Sequence, residues 1–186
     1  MFEENTEEKK WFALYTKPRH EFKAEEQINK LSIDCFLPKI TATRKWKDRK
    51  KKVESALFTS YIFIHATEIE RRYSLAVDSI VKTVCFNGKP AVIPDEEIES
   101  IKIMLEKKSD IFILDKIQKG NKVKIIEGPL KNVIGTVVNL NSEDWLYVTV
   151  EILQRSVSVK LTKDNVYKLM EWWRNFDSKK TKWIFT

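Results

Sequence analysis

Short apolar runs alternate with charged helical patterns along the first hundred residues. Trp11-Phe12-Ala13-Leu14-Tyr15-Thr16, closed by Pro18, reads as a buried first strand. From His20 to Leu31, Ala24, Ile28 and Leu31 recur at i, i+4 and i+7, with Glu residues toward the front and Lys30 near the end, which predicts a helix. Cys35 to Ile40 follows as a second strand, placed by Pro38 at an edge or bulge. A cationic stretch, Arg44 to Lys52, then feeds Leu57-Phe58-Thr59-Ser60-Tyr61-Ile62-Phe63-Ile64, read as a loop leading into a buried strand. Glu68 to Val77 fits a short helix and Ile80 to Phe86 an alternating strand. Asn87-Gly88 is a turn signal that folds Lys89 to Ile93 back as a hairpin arm. Pro94-Asp95 opens a helix to Lys107 with Ile98, Ile101 and Leu105 on one face. The order β-α-β-β-α-β-α implies an α+β domain over residues 1–107, one sheet with helices packed on it.

Residues 108–118 sustain no period and read as a linker. Beyond it, Val123–Ile126, Gly135–Val138, Leu146–Val150 and Ser156–Val159 are short β-branched strands separated by turn residues, the pattern of a small barrel over 119–169. A tail, 170–186, carries Trp172, Trp173, Phe176, Trp183, Ile184 and Phe185 without clear periodicity. Packing as a helix plus tail and docking of a partner both remain open for it.

Charge changes the picture at one place. The 186 residues carry a formal charge of +7, and Lys39 to Lys52 alone holds eight Lys or Arg against one Asp, so the rest balances near zero. A local cluster of that kind favours a polyanion, with nucleic acid ahead of an acidic protein face or anionic lipid; a solvated loop without a partner is the plainer alternative. Cys35 and Cys85 have no Cys or His neighbours at metal-ligand spacing and read as reduced core residues, so neither metal nor cofactor is expected. The acidic start Met1-Phe2-Glu3-Glu4-Asn5 is unlike a signal peptide, and no apolar run approaches membrane-spanning length, so a cytoplasmic location without membrane contact is expected. His20 and His65 lack a nucleophile or carboxylate pair at motif spacing, and four glycines form no phosphate-cradling loop. Enzymatic chemistry is therefore not expected.

Two segments carry a family resemblance. Lys119-Gly120-Asn121-Lys122-Val123-Lys124-Ile125-Ile126-Glu127-Gly128-Pro129-Leu130, continued by Ile134-Gly135-Thr136-Val137, resembles the KOW motif, with Asn121 where many members carry Asp. Gly128-Pro129 suits a tight turn and Gly135 a close backbone bend. Trp11 to Glu21 and Leu57 to Ile64 resemble the NusG N-terminal domain and its Leu-Phe-Pro-Gly-Tyr-x-Phe-Val strand, with Thr59 for Pro and Ser60 for Gly. Trp46 to Lys51, Ser60 and Phe86 to Asp95 are closer to the specialised RfaH and UpxY-type antiterminators.

The resemblance implies an N-terminal α/β sandwich with a mainly antiparallel four-stranded sheet, then an all-β KOW barrel; against the alternative of a helical hairpin masking the aromatic patch, as in the RfaH group, Gly128-Pro129, Gly135 and the β-branched strands oppose a stable helix, so a barrel is expected in the free protein. It implies a transcription elongation and antitermination factor that grips the RNA polymerase β′ clamp helices, with Tyr61, Phe63, Phe86 and, more weakly, Phe58 as the docking aromatics. Lys17, Arg19, His20, Arg71 and Arg72 are the basic candidates for non-template DNA. The cationic stretch, Arg44, Lys45, Lys47, Arg49, Lys50 and Lys51, is assigned to DNA at the transcription bubble or to upstream duplex. A small-subunit ribosomal protein or Rho remains open as a partner of the KOW domain. The competing reading is a ribosomal-type KOW protein that binds structured RNA.

Overall fold

The computed structural model describes residues 8–45, 50–107, 111–114, 120–140, 143–162 and 165–170. The chain divides into two compact units, 1–98 and 99–186. Among the described residues no helix is long and apolar enough to cross a membrane.

The first unit is built around β1 (Lys10–Thr16), whose residues Trp11 to Leu14 are all buried. Along one edge it pairs antiparallel with β5 (Tyr61–Ala66), from Lys10 opposite Ala66 to Tyr15 opposite Tyr61. Its other edge takes β6 (Ile80–Thr83) and, further along, the short β9 (Val92–Ile93). With β2 (Asp34–Phe36) outside β5, the order is β2-β5-β1-β6, and β9 adds a fifth strand beside β1. Strand alternation then sorts side chains by face. Phe12, Leu14, Ile62 and Ile64 pack with Ala24 and Ile28 of helix α1 (Glu21–Lys30) in one buried cluster. Trp11, Tyr15, Tyr61, Phe63 and His65 belong to the opposite face.

The helical patterns hold with small displacements. Ala24 and Ile28 are fully buried, but Leu31 follows the end of α1 and is exposed. Helix α2 (Glu68–Ser74) starts at a capping box, in which the Thr67 hydroxyl accepts from the Glu70 N–H and the Glu70 carboxylate accepts from the Thr67 N–H. In α3 (Asp95–Glu106), Ile98, Ile101 and Met104 are buried, so Met104 takes the place expected for Leu105; the division between the units falls within this helix.

Two segments depart from their predicted state. The strand expected from Leu57 begins only at Tyr61, because Ser60 adopts the left-handed region at φ 65° and turns the chain. That turn is fixed from three sides. The buried Glu21 carboxylate accepts the Ser60 N–H at 2.7 Å, the Ser60 carbonyl accepts from the Thr16 N–H at 2.9 Å, and the Leu57 N–H donates to the Pro38 carbonyl at 2.7 Å. The cationic stretch is also not simply a loop. Its described part lies in a two-stranded ribbon, β3 (Lys39–Lys45) against β4 (Lys50–Ala56), because β-branched and small residues continue through Ile40, Thr41, Ala42, Thr43 and Val53.

The Asn87-Gly88 turn forms as its sequence demands. It joins β7 (Cys85–Phe86) to β8 (Lys89–Pro90), with φ 50° at Asn87 and 77° at Gly88, the signs a two-residue type I′ turn needs.

The second unit holds the end of α3 and, beyond it, an antiparallel sheet. β10 (Ile111–Leu114), β11 (Asn121–Glu127), β12 (Ile134–Leu140), β13 (Glu143–Val150), β14 (Arg155–Lys160) and β15 (Val166–Leu169) form one antiparallel sheet in the order β10-β14-β13-β12-β11-β15. Residues 111–114, read above as linker, are a strand because Ile111-Phe112-Ile113-Leu114 pairs residue for residue with Ser156 to Val159. Val123, Ile125, Leu130, Val133, Leu146, Val148, Val150 and Val157 are among its buried residues. Gly135 is required by close approach, since a Cβ there would stand 2.5 Å from the Tyr147 carbonyl oxygen.

Ser60→Gly should stabilise the protein by about 0.5–1 kcal/mol, because glycine occupies the left-handed region without a Cβ clash and part of that gain offsets its greater freedom in the unfolded chain. The midpoint of chemical unfolding should rise; a fall would show that the serine side chain itself holds the turn.

Candidate functional site

Cross-strand pairing sets the aromatic face of the first sheet. Trp11 lies opposite His65 and their rings stack at 5.0 Å; Tyr15 lies opposite Tyr61 and the rings meet edge to face at 5.3 Å. Phe36 on β2, opposite Phe63, stacks with it at 6.3 Å and meets Trp11 edge-on at 6.5 Å. Phe58, from the turn before β5, approaches Phe63 edge to face at 5.9 Å. Such pairs add about 0.5–1.5 kcal/mol each beyond the area they bury.

The four docking aromatics therefore separate. Phe58 and Phe63 are fully buried, held by each other and by Phe36, so they are core side chains with no surface to offer a partner. Tyr61 is half-buried beside Tyr15, at the end of the row. Phe86 is 66% exposed on the β7–β8 hairpin, where a two-residue turn leaves its ring on the outside of the sheet.

The basic candidates separate as well. Lys17, Arg19 and His20 share the turn between β1 and α1. Arg19 is exposed with φ 62°, while Lys17 donates to Asp78 at 2.8 Å and the His20 ring lies 3.4 Å from the Ser79 hydroxyl. Lys23 reaches the same Asp78 at 3.4 Å. The hydrogen bond from Lys17, and then that from Lys23, hold the Asp78 carboxyl below its ordinary range. Arg72 is exposed, with Glu68 at 3.4 Å.

Arg71 does not belong in the phosphate-facing set. It is 6% exposed, forms a fork with both Glu68 carboxylate oxygens, donates to the Thr83 hydroxyl at 2.8 Å and stands 5.8 Å from the Phe12 ring centroid. The guanidinium hydrogen bonds hold Glu68 below the usual carboxylate range and raise Arg71 above its own. It ties α2 to β6 and is a structural cation. The Thr67-x-x-Glu70 capping box could have located α2 in the sequence, but nothing local distinguishes Arg71 from Arg72; the helix's orientation on the sheet decides which is buried.

Arg44, Lys45, Lys50 and Lys51 occupy the far end of the β3–β4 ribbon, with Arg44 opposite Lys51 and Lys45 opposite Lys50. Lys52, absent from the sequence-based set, continues them opposite Thr43 and is exposed. Lys47 and Arg49 lie outside the described residues. Lys39, at the base of the ribbon, is bound to Glu25 at 2.7 Å. Cys35 is partly buried, and that burial pushes its thiol up to about 11, so it is not a ready nucleophile. Among the described residues no three His, Cys, Asp or Glu side chains are grouped to hold a metal ion.

A first unit with one aromatic sheet face and a basic ribbon is thus followed by a second unit whose KOW-like sequence forms an antiparallel sheet. The model of the family described as "Transcription termination factor nusG" matches residues 9–102, half of the chain, and the chain belongs to the NusG family. Curated relatives cover both units. The protein of Rickettsia typhi named "Transcription termination/antitermination protein NusG" is 25% identical over 86% of this chain and 90% of its own length. Its namesake in Borreliella burgdorferi is 25% identical over 86% of this chain and 98% of its own length. A solved structure titled "Domain interaction in Thermotoga maritima NusG" is 24% identical, covers 83% of this chain and 93% of that one, and superposes with a TM-score of 0.47.

Arg71→Met should lower stability by about 2 kcal/mol, the scale of hydrogen bonds to a charged group, whereas Arg72→Ala should change it little. The sign of the pH dependence follows from Glu68. Its folded pKa is depressed, so its contribution is complete above the unfolded carboxylate value of about 4.3 and is lost as pH falls through the lower folded value. Unfolding followed between pH 7 and 3 should thus show a shallower acid loss in Glu68→Gln than in the native chain; parallel curves would remove the pair from the stability of this unit.

Proposed function

We propose that this protein is a transcription elongation and antitermination factor acting on particular operons, and that it docks on the RNA polymerase β′ clamp helices. The observation that carries the reading is the family match across the whole aromatic sheet, residues 9–102, supported by relatives named for termination and antitermination. Tyr61 at the open end of the aromatic row and Phe86 on its hairpin supply the docking contacts; an apolar anchor in a polar rim is what a partner helix packs against. Phe58 and Phe63 support that surface from beneath. The protein acts by occupancy, stabilising the elongating polymerase against pausing or termination without covalent chemistry.

Arg19 and Arg72, with Lys17 beside Asp78 and His20 beside Ser79, face the exposed non-template strand in this scheme. Specialisation for particular operons is favoured by the resemblance of Phe86 to Asp95 to the antiterminator paralogues and by the concentration of charge in the β3–β4 ribbon. The KOW-like sheet of the second unit is the proposed contact for a small-subunit ribosomal protein or Rho. The ribosomal-type alternative gains nothing from the family match, which lies wholly before residue 119.

Capture of the chain by a β′ clamp-helix fragment should weaken about tenfold or more in Phe86→Ser and in Tyr61→Ala, as for interface anchors worth about 2 kcal/mol. Phe86 is exposed enough that its variant tests docking without disturbing the core. In transcription with purified polymerase on a template with pause sites and a Rho-dependent terminator, the native chain should shorten pauses and raise readthrough. Full binding by both folded variants would refute the docking assignment, and lower readthrough would refute antitermination.

A further inference from the structure

The turn of the β7–β8 hairpin holds a reactive pair of residues that the fold leaves unshielded. Asn87-Gly88 is the one Asn-Gly pair in the chain. Both residues are exposed, and a Cβ built on Gly88 would meet nothing within 4 Å. Among the described residues, no hydrogen bond ties the Asn87 side-chain amide or the Gly88 N–H.

The hairpin that carries this turn is short. β7 and β8 pair only with each other, through Cys85–Pro90 and Phe86–Lys89. Below them the Ala91 N–H donates to the Val84 carbonyl at 3.0 Å, and the Val84 N–H donates to that of Ala13 at 2.9 Å, which anchors the base to β1. A two-stranded ribbon of this size is marginal by itself, so the turn opens locally while the sheet beneath stays folded. Opening frees the backbone rotation that lets the Gly88 nitrogen approach the side-chain carbonyl carbon of Asn87, and glycine is the residue that resists this rotation least.

Asn132 offers an internal contrast. It too is exposed with a positive φ, 75°, but its successor is Val133, which is buried and β-branched. Its following nitrogen is therefore shielded and stiff.

We propose that Asn87 is a site of spontaneous deamidation that limits the lifetime of the β7–β8 hairpin. The Gly88 nitrogen attacks Asn87 Cγ, so that a new C–N bond forms, the bond from Cγ to the side-chain nitrogen breaks, and the Gly88 proton leaves with that nitrogen as ammonia. A cyclic imide remains. Solvent water opens it, the hydroxyl going to one carbonyl carbon and the proton to the imide nitrogen, with no oxidant, reductant or cofactor involved. Cleavage at Cγ leaves aspartate at position 87; cleavage at the backbone carbonyl leaves isoaspartate, which adds one carbon to the main chain. A two-residue type I′ turn has no place for that carbon, because its geometry sets the register of both pairs. Isoaspartate thus unpairs Cys85–Pro90 and Phe86–Lys89, and the ring of Phe86 loses its fixed position. The chemistry of the site stands alone, whereas its effect on polymerase docking rests on the role proposed above for Phe86.

The test holds the full chain at mildly alkaline pH for several days, with peptide mapping by mass spectrometry and enzymatic methylation of isoaspartate as readouts. Conversion at Asn87 should outpace that at Asn132 by about tenfold or more, since glycine follows the first and a buried valine the second. Asn87→Gly suits a positive φ and has no amide to lose, so it should accumulate no isoaspartate at this turn. Capture by the clamp-helix fragment should fall in the native chain in step with isoaspartate and hold in Asn87→Gly. Fresh Asn87→Asp carries the new charge without the extra carbon and keeps a residue this turn accepts, so its capture should stay within about twofold of native.

An Asn87 amide that lasts as long as that of Asn132 would overturn the site. Isoaspartate formed without loss of capture would overturn its effect on the hairpin. A fresh native chain that the fragment does not capture refutes polymerase docking alone, since the mass readout decides the site without it.

Discussion

The pairing of β1 with β5 is the constraint on which the first unit depends. Six register pairs, Lys10–Ala66 to Tyr15–Tyr61, fix which residues of both strands share a face. A slip of one residue would move Phe12, Leu14, Ile62 and Ile64 out of the cluster under α1 and drive Trp11, Tyr61 and His65 into it. Two devices oppose that slip. The left-handed turn at Ser60, held by Glu21 of α1 and by the Thr16 N–H, sets where β5 begins, and the rings of Trp11 and His65 stack only in this register.

That constraint gives the sheet two unlike faces. Beneath α1 it is mainly aliphatic, with Phe12 as its one ring, and closed; on the other side it is aromatic and closed only in part. Phe63 lies within a row of rings and is core, whereas Tyr61 ends the row and Phe86 stands on a separate hairpin. In the docking proposed above, a partner helix would meet pre-ordered rings, so that little entropy is spent on binding.

The charges follow a comparable division. Lys17, Lys23, Lys39 and Arg71 are answered by Asp78, Glu25 and Glu68 of the same unit, which brace the β1–α1 turn, the ribbon's base and α2. Across the end of the ribbon the register sets cation against cation instead. Ionic contacts within the unit thus hold the elements in place, whereas the far end of the ribbon brings like charges into register.

Much of this was legible in the residues alone. Period and turn chemistry located β1, α1, α2, the Asn87-Gly88 hairpin, α3 and the strands of the second unit, because each signal is local: spacing fixes a face, and a positive φ demands particular residues. Gly128-Pro129 and Gly135 marked the KOW-like turn and close approach, and the quoted motifs marked the family, by the same local logic. What sequence left undecided depends on neighbours distant along the chain. Phe58, Phe63 and Phe86 are chemically identical, yet two are sealed in the ring row and one is exposed, because burial is set by what packs alongside. Arg71 and Arg72 are adjacent, yet the seating of α2 against Thr83 buries the first and exposes the second. Residues 111–114 became a strand because β14 offered them an edge, and the basic run became a paired ribbon because β3 found β4. Composition alone set the charge of that run; only cross-strand pairing placed cation opposite cation.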